Sequence, residues 1–249
     1  MKRVQVVGMG TGFPDLGKRH QDAIVSADLL VGGKRHLGLF RAHSAEKLEI
    51  TAPLAGVITK IRQVMAEKQV VVLASGDPLF YGIGKILAEQ LGEEQVEILP
   101  NVSIFAEAFA RIKTPWRDAA VVSLHGRKSE SELIALLAGK KPVFVYTDLQ
   151  HTPARVAQIV SERAPDRWRI CVFERLCESD ECMSWYTPEN VAAQAFSEPN
   201  AVILWPDENV APTLAPVLGG PDETYRHDRG MITKAEVRAV SLSKLRLAP

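Results

Sequence analysis

Leu73-Ala74-Ser75-Gly76-Asp77-Pro78-Leu79-Phe80-Tyr81-Gly82 directly follows Val70-Val71-Val72, the most apolar run in the first half of the chain. A short run of β-branched residues ending in a glycine-rich corner reads as a buried strand that stops at a loop. In an open α/β sheet that position lies at the carboxyl edge, where ligands bind. Asp77 as cap of the next helix, with Pro78 in its first turn, accounts for part of the pattern. It leaves unexplained why Gly76, Asp77, Tyr81, Gly82 and Gly84 crowd together.

Outward from this stretch, Val4–Val7, Leu29–Val31, Leu48–Ile50 and Val96–Leu99 also read as buried strands. The segments between them carry helical period. The clearest places Leu54, Val57, Ile58, Ile61, Val64 and Met65 on one face, with Thr51 as N-cap and Pro53 near the first turn. Another follows Val96–Leu99, with Ile104, Phe105, Ala108, Phe109 and Ile112 on one side. Strand–helix alternation predicts a parallel sheet, because parallel strands need crossover connections. Lys113-Thr114-Pro115-Trp116-Arg117-Asp118 interrupts the pattern and marks a junction between domains at 1–114 and 115–206.

The second half restarts with strands at Ala120–Leu124, Val143–Tyr146, Ile170–Glu174, Met183–Tyr186 and Ala201–Trp205, and helices at Glu130–Leu137, Pro153–Arg163 and Pro188–Phe196. Met183–Tyr186 follows its predecessor with no room for a helix, so this sheet is expected to be mixed. Pro206–Pro221, rich in proline, reads as a linker. Thr233-Lys234-Ala235-Glu236 then forms a capping-box pattern ahead of Val237, Val240, Leu242 and Leu245.

Composition narrows the function classes. Thirty Lys and Arg balance thirty Asp and Glu, so no overall field favours nucleic acid or an anionic membrane. The amino terminus is broken by Gly8 too early for a signal peptide, and no apolar run approaches the length of a membrane span. Cys171, Cys177 and Cys182 are odd in number and irregular in spacing, which reads as incidental thiols in a cytoplasmic protein and implies no metal site.

Gly8-Met9-Gly10-Thr11-Gly12-Phe13-Pro14 is a second glycine-rich corner, after the first strand. It lacks the third glycine of the dinucleotide fingerprint G-x-G-x-x-G. By itself it is compatible with a ligand loop or with a tight turn.

Taken together, Gly8-Met9-Gly10-Thr11-Gly12, Gly76-Asp77-Pro78-Leu79-Phe80-Tyr81-Gly82 and Pro100-Asn101-Val102-Ser103 resemble the motif set of the tetrapyrrole methylase family in order and separation. The resemblance spans about residues 1–206; one departure is Thr11, where many relatives have proline. Ser123-Leu124-His125-Gly126-Arg127 and Glu174-Arg175-Leu176 are similar to the branch of that family that methylates C5 of precorrins in cobalamin synthesis. The resemblance implies two α/β domains, with S-adenosylmethionine as cofactor in the cleft between them. Gly76, Asp77, Phe80, Ser103 and Ile104 would hold the cofactor, with Tyr146, Thr147, Leu176 and Val202 from the second domain. Gly10, Thr11, Gly12, Arg127 and Arg175 would meet the tetrapyrrole substrate, and His125 and Arg127 would serve catalysis. It also implies a homodimer, and Gly230–Arg238 looks like the opening of the C15-methyltransferase/decarboxylase that follows this module in fused enzymes, giving 207–249 as linker and start of that domain.

The substrate's carboxylates favour paired donors such as guanidinium. Lys34, Arg35 and His36, then Arg111, Lys113 and Arg117, are further basic candidates, although basic residues at helix ends are often simply solvated. Alternatives on the same fold are methylation of ribosomal RNA or of a protein, which the neutral charge balance disfavours for RNA, and a non-catalytic nucleotide-binding subunit.

Overall fold

The computed structural model describes residues 2–10, 16–125, 130–164, 167–207, 222 and 231–245. The chain divides into two compact units, Met1–Asp207 and Glu208–Pro249. The first unit opens with β1 (Val4–Gly8), α1 (Lys18–Val25), β2 (Leu29–Gly32), α2 (Lys34–Leu39), β3 (Glu46–Glu49), α3 (Leu54–Val64), β4 (Val70–Ala74), α4 (Ile83–Leu91), β5 (Val96–Leu99) and α5 (Ile104–Arg111). The strands lie in the order β3-β2-β4-β1-β5, all parallel. β4 is buried along its whole length and serves both faces. Val70, Val72 and Ala74 pack with Val57, Ile58 and Ile61 of α3 and Leu87 of α4. Val71 and Leu73 pack with Ala23 and Ile24 of α1 and Leu37 of α2. The period of two along one strand therefore divides the core between the faces.

The unit continues with β6 (Ala120–Ser123), α6 (Ser131–Leu137), β7 (Val143–Tyr146), α7 (Pro153–Arg163), β8 (Trp168–Glu174), β9 (Cys182–Tyr186), α8 (Pro188–Ala192) and β10 (Asn200–Pro206). This sheet has the order β6-β7-β10-β8-β9, with β6 and β7 parallel and the other pairs antiparallel. It is mixed, as the short β8–β9 connection requires. Val143 and Val145 of β7 face α6 and α7. Phe144 faces the other way, onto Phe105 and Phe109 of α5. One helix from the first half thus covers the second sheet and joins the two lobes.

A polar clamp reinforces that joint. Arg111, ending α5, donates to Glu181 through Nε (2.7 Å) and Nη2 (3.1 Å), and to Glu107 through Nη1 (2.8 Å). Glu181 also accepts from the Cys177 amide at 2.7 Å, fixing the β8–β9 loop. These bonds hold the Glu181 carboxyl below its ordinary value of 4.5, Arg111 contributing most and burial opposing. A depressed carboxyl stabilises the fold above its unfolded pKa and loses that contribution as pH falls through the folded value. In urea titrations, the stability gap between the protein and Glu181→Gln is therefore expected to stay constant at neutral pH and to close on acidification below 4.5. A gap that is constant down to strong acid contradicts the clamp.

Several expectations need local correction. The third strand is Glu46–Glu49 instead of Leu48–Ile50; it is an edge strand with three exposed residues, so the buried-strand pattern misplaced it. Pro53, not Thr51, occupies the N-cap position of α3, with extended backbone and no side-chain cap. Asp77 does not cap a following helix: α4 begins only at Ile83, behind Gly82. Its carboxylate instead accepts from the Leu79 amide at 2.8 Å, closing a turn within the loop. The helix expected to reach Phe196 ends at Ala192. In the second unit, α9 (Ala235–Leu245) starts one residue later than the capping-box pattern implies. Arg238 of that helix pairs with Asp222.

Candidate functional site

Three strand ends of the first sheet meet at one place. The Met9 amide donates to Ala74 O at 2.8 Å, and Gly10 and Gly76 exchange backbone hydrogen bonds at 3.4 and 3.2 Å. Asn101, just beyond β5, donates through Nδ2 to Gly8 O at 3.1 Å. The approach is close enough to exclude side chains. A Cβ on Gly8 would stand 2.5 Å from Gly76 O and 2.9 Å from Asn101 N. Gly76 has φ +54°, a left-handed conformation that glycine adopts without strain. Ser103 completes the group by capping α5 through its hydroxyl, which accepts from Ala106 N at 3.3 Å.

These loops line one side of a cleft of about 840 Å³, within the range of about 300–1,000 Å³ for small-molecule sites. Gly10, Gly76, Asp77, Phe80, Ser103 and Ile104 line it from the first lobe. Tyr146, Thr147, Leu176 and His125 line it from the second. An aromatic group forms part of the wall: Phe80 lies with its ring centroid 5.3 Å from Phe105 and 6.1 Å from Tyr146. Burial pushes the Tyr146 phenol well above its ordinary range, so it is a neutral group at physiological pH. Tyr81 ties the lobes, its hydroxyl donating to Val121 O at 3.0 Å. Polar groups of the second lobe are paired within the fold: the Thr147 hydroxyl donates to Asn200 Oδ1 at 2.7 Å, and Nδ1 of the exposed His125 lies 3.3 Å from Thr147 O.

Two expected residues lie elsewhere. Val202 is fully buried among Val145, Val172 and Val156 on the face of β10 turned away from the cleft. Its neighbour Ala201 lines the cleft instead, because side chains alternate along a strand. Arg175 is not on the lining; its Nη2 pairs with Asp180 at 3.0 Å. Arg111 is likewise engaged, in the clamp described above. Thr11, Gly12 and Arg127 lie outside the described residues.

The cleft also contains residues the sequence did not single out. Phe173, Glu178, Pro199 and Asn200 all line it, beside Ser123 of the Ser123–Arg127 motif. Pro199-Asn200 before a strand, and an acid shortly after Glu174-Arg175-Leu176, are too common as sequence patterns to point to a site. Lys34, Arg35 and His36 line it too. His36 is lowered below its ordinary value, chiefly by burial and then by Arg35, against a hydrogen bond to the Leu73 backbone. It is therefore neutral at pH 7.

The donors suit a zwitterionic, sulfonium-bearing nucleoside. A carboxylate, hydroxyls, exposed backbone groups and an aromatic wall share one enclosure, and the backbone cradle between Gly8 and Gly76 admits no side chain.

Residues 3–184 match the family model described as tetrapyrrole (corrin/porphyrin) methylases. The cobalt-precorrin-7 C(5)-methyltransferase of Salmonella typhimurium is 35% identical over 200 residues, covering 80% of this chain and 96% of that protein. The decarboxylating precorrin-6Y C(5,15)-methyltransferase of Sinorhizobium sp is 30% identical over 244 residues, 96% of this chain and 58% of the relative. Among solved structures, the uroporphyrin-III C-methyltransferase of Thermus thermophilus, complexed with S-adenosylhomocysteine, superposes with a TM-score of 0.67 at 22% identity, covering 82% of this chain and 97% of that one.

Proposed function

Because the chain belongs to the tetrapyrrole methylase family, we propose that it transfers a methyl group from S-adenosylmethionine to C5 of a precorrin or cobalt-precorrin, in the corrin-ring stage of cobalamin synthesis. The observation that carries this reading is the convergence of the Gly8–Gly10, Gly76–Asp77 and Asn101–Ser103 strand ends on one cleft. The names of the Salmonella and Sinorhizobium relatives support the position of methylation.

When bound, the cofactor supplies the methyl group already activated as a sulfonium. The chain's own task is placement and exclusion of water. In-line displacement needs the acceptor carbon about 3–3.5 Å from the methyl, and holding it there contributes several kcal/mol. Gly10 and Gly76, bonded to each other, bring backbone without side chains against the cofactor, Asp77 offers a carboxylate near its amino group, and Phe80 with Tyr146 walls off solvent. His125 accepts the proton that the ring carbon loses. If its Nδ1 carries hydrogen and donates to Thr147 O, Nε2 is left as the acceptor. Gly10, Thr11 and Gly12 contact the tetrapyrrole, with Arg127 as a donor to its carboxylates. Leu176, Thr147, Ser103 and Ile104 bound the nucleoside.

In the same reading, residues 1–114 and 115–206 are the two domains, and the protein works as a homodimer. Residues 207–249 are a linker and the opening of a C15-methyltransferase/decarboxylase. The match to the Sinorhizobium enzyme runs over 244 residues, against 200 for the Salmonella enzyme. Among the described residues no helix is long and apolar enough to cross a membrane.

The test is incubation of precorrin-7 and cobalt-precorrin-7 with the protein and isotopically labelled S-adenosylmethionine, read by mass spectrometry and NMR. One added methyl at C5 is the expected product; no transfer, or transfer to another carbon, removes the assignment. His125→Asn in the same assay is expected to keep S-adenosylhomocysteine affinity and to lower kcat by about 100-fold. Unchanged turnover takes the proton from His125.

A further inference from the structure

Charge on the cleft wall is unevenly placed. Away from Asp77, the wall's charged side chains are Lys34 and Arg35 of α2 and Glu178 of the β8–β9 loop. Arg35 Nη1 lies 3.5 Å from Glu178 Oε1, joining the first lobe to the second beside the cavity that both residues line.

Two ion pairs made by this one loop differ in kind. Glu181 is gripped by two guanidinium bonds and a backbone amide. Glu178 meets Arg35 through a single long contact, with side chains 66% and 42% exposed for Arg35 and Glu178. An exposed pair of that type adds little to stability, so exchanging it for another carboxylate costs little. A carboxylate that can engage the guanidinium through two parallel bonds would bind better than Glu178 does. Lys34 makes no ion pair among the described residues, and His36 is neutral, so this end of the cleft holds two cations against one anion.

We propose that Arg35, seconded by Lys34, is the element that selects the tetrapyrrole by a free carboxylate side arm, and that Glu178 is an internal counter-ion displaced when that arm enters. This rests on the methyltransferase reading of the same cleft. Glu178 sets a threshold: an acidic arm displaces it, whereas an amidated or esterified arm lacks the charge to do so. Meanwhile the Arg111–Glu181 clamp keeps the loop in place, so the exchange needs only a side-chain rotation.

The test is steady-state methylation of the accepted precorrin by the full chain and by Arg35→Gln, Glu178→Gln and the double variant, with S-adenosylhomocysteine binding measured calorimetrically on each. Arg35→Gln is expected to raise the KM for the tetrapyrrole about tenfold or more, with cofactor affinity unchanged. Glu178→Gln is expected to lower that KM several-fold, an improvement a merely structural role would not produce. In the double variant that improvement should vanish. If the unaltered protein methylates the precorrin while both single variants keep its KM, the selector is wrong and the function stands. A KM raised by Glu178→Gln overturns the exchange, because Glu178 would then be supporting Arg35. Absence of methylation by the unaltered protein removes the functional reading and this proposal with it.

Discussion

Gly8→Val is expected to abolish methyl transfer and to weaken S-adenosylhomocysteine binding beyond calorimetric detection. The first added carbon would lie 2.5 Å from Gly76 O, 2.9 Å from Asn101 N and 3.0 Å from Asn101 Cβ. Two of those three atoms are backbone, so no rotamer change relieves the clash. The β1, β4 and β5 ends must separate instead, breaking the Gly10–Gly76 exchange and the Asn101 bond to Gly8 O. A misplacement of about 1 Å near reacting groups costs on the order of 100-fold in rate, and forcing extra atoms into a packed site costs about 1–3 kcal/mol of stability. Gly8→Ala should show the same direction with a smaller loss. Binding of S-adenosylhomocysteine by a folded Gly8→Val protein at near-normal affinity would mean that the cofactor sits elsewhere.

Phe144→Ala is expected to have the largest effect on stability. Phe144 is fully buried and packs edge-on to Phe105 at 5.4 Å and to Tyr146 at 4.9 Å between ring centroids. It therefore fastens α5 to the second sheet while supporting the cleft's aromatic wall. Removing a buried phenylalanine side chain costs about 3–5 kcal/mol, which for a chain of this size lowers Tm by on the order of 10 °C. Calorimetric scanning checks the magnitude. Leu79→Ala is the comparison, since Leu79 is 58% exposed and its loss should barely register. Equal effects from the two variants would contradict the account of the joint between the lobes.

Most of the first sheet was legible because buried parallel strands are apolar runs: β2 and β4 are continuous ones, and β1 and β5 are broken only by Gln5 and Glu97. β3, with Glu46, Lys47 and Glu49 exposed at the sheet edge, gave no such signal and was placed two residues late. The corner at Gly76-Asp77-Pro78 was correctly located, yet the helix-capping role given to Asp77 was wrong. A cap and a self-closed turn use the same residue types, and only the distance to the next helix tells them apart. For the cleft, the glycines at strand ends could be read directly. Glu178 and Asn200 could not, since an acid or an amide in a loop has many uses.

The sequence by itself determined the strand–helix alternation, the glycine corners after β1 and β4, and the helix that follows Pro100-Asn101-Val102-Ser103, because these depend on neighbours a few positions apart. Tertiary structure alone decided which side chains meet. Ala201 reaches the cleft and Val202 does not because the register of β10 against β7 and β8 fixes which face looks inward. Arg111 is drawn to Glu181, seventy positions away, while Arg35 meets Glu178 only through one long, exposed contact beside the cavity, because partners distant along the chain settle how firmly a cation is held.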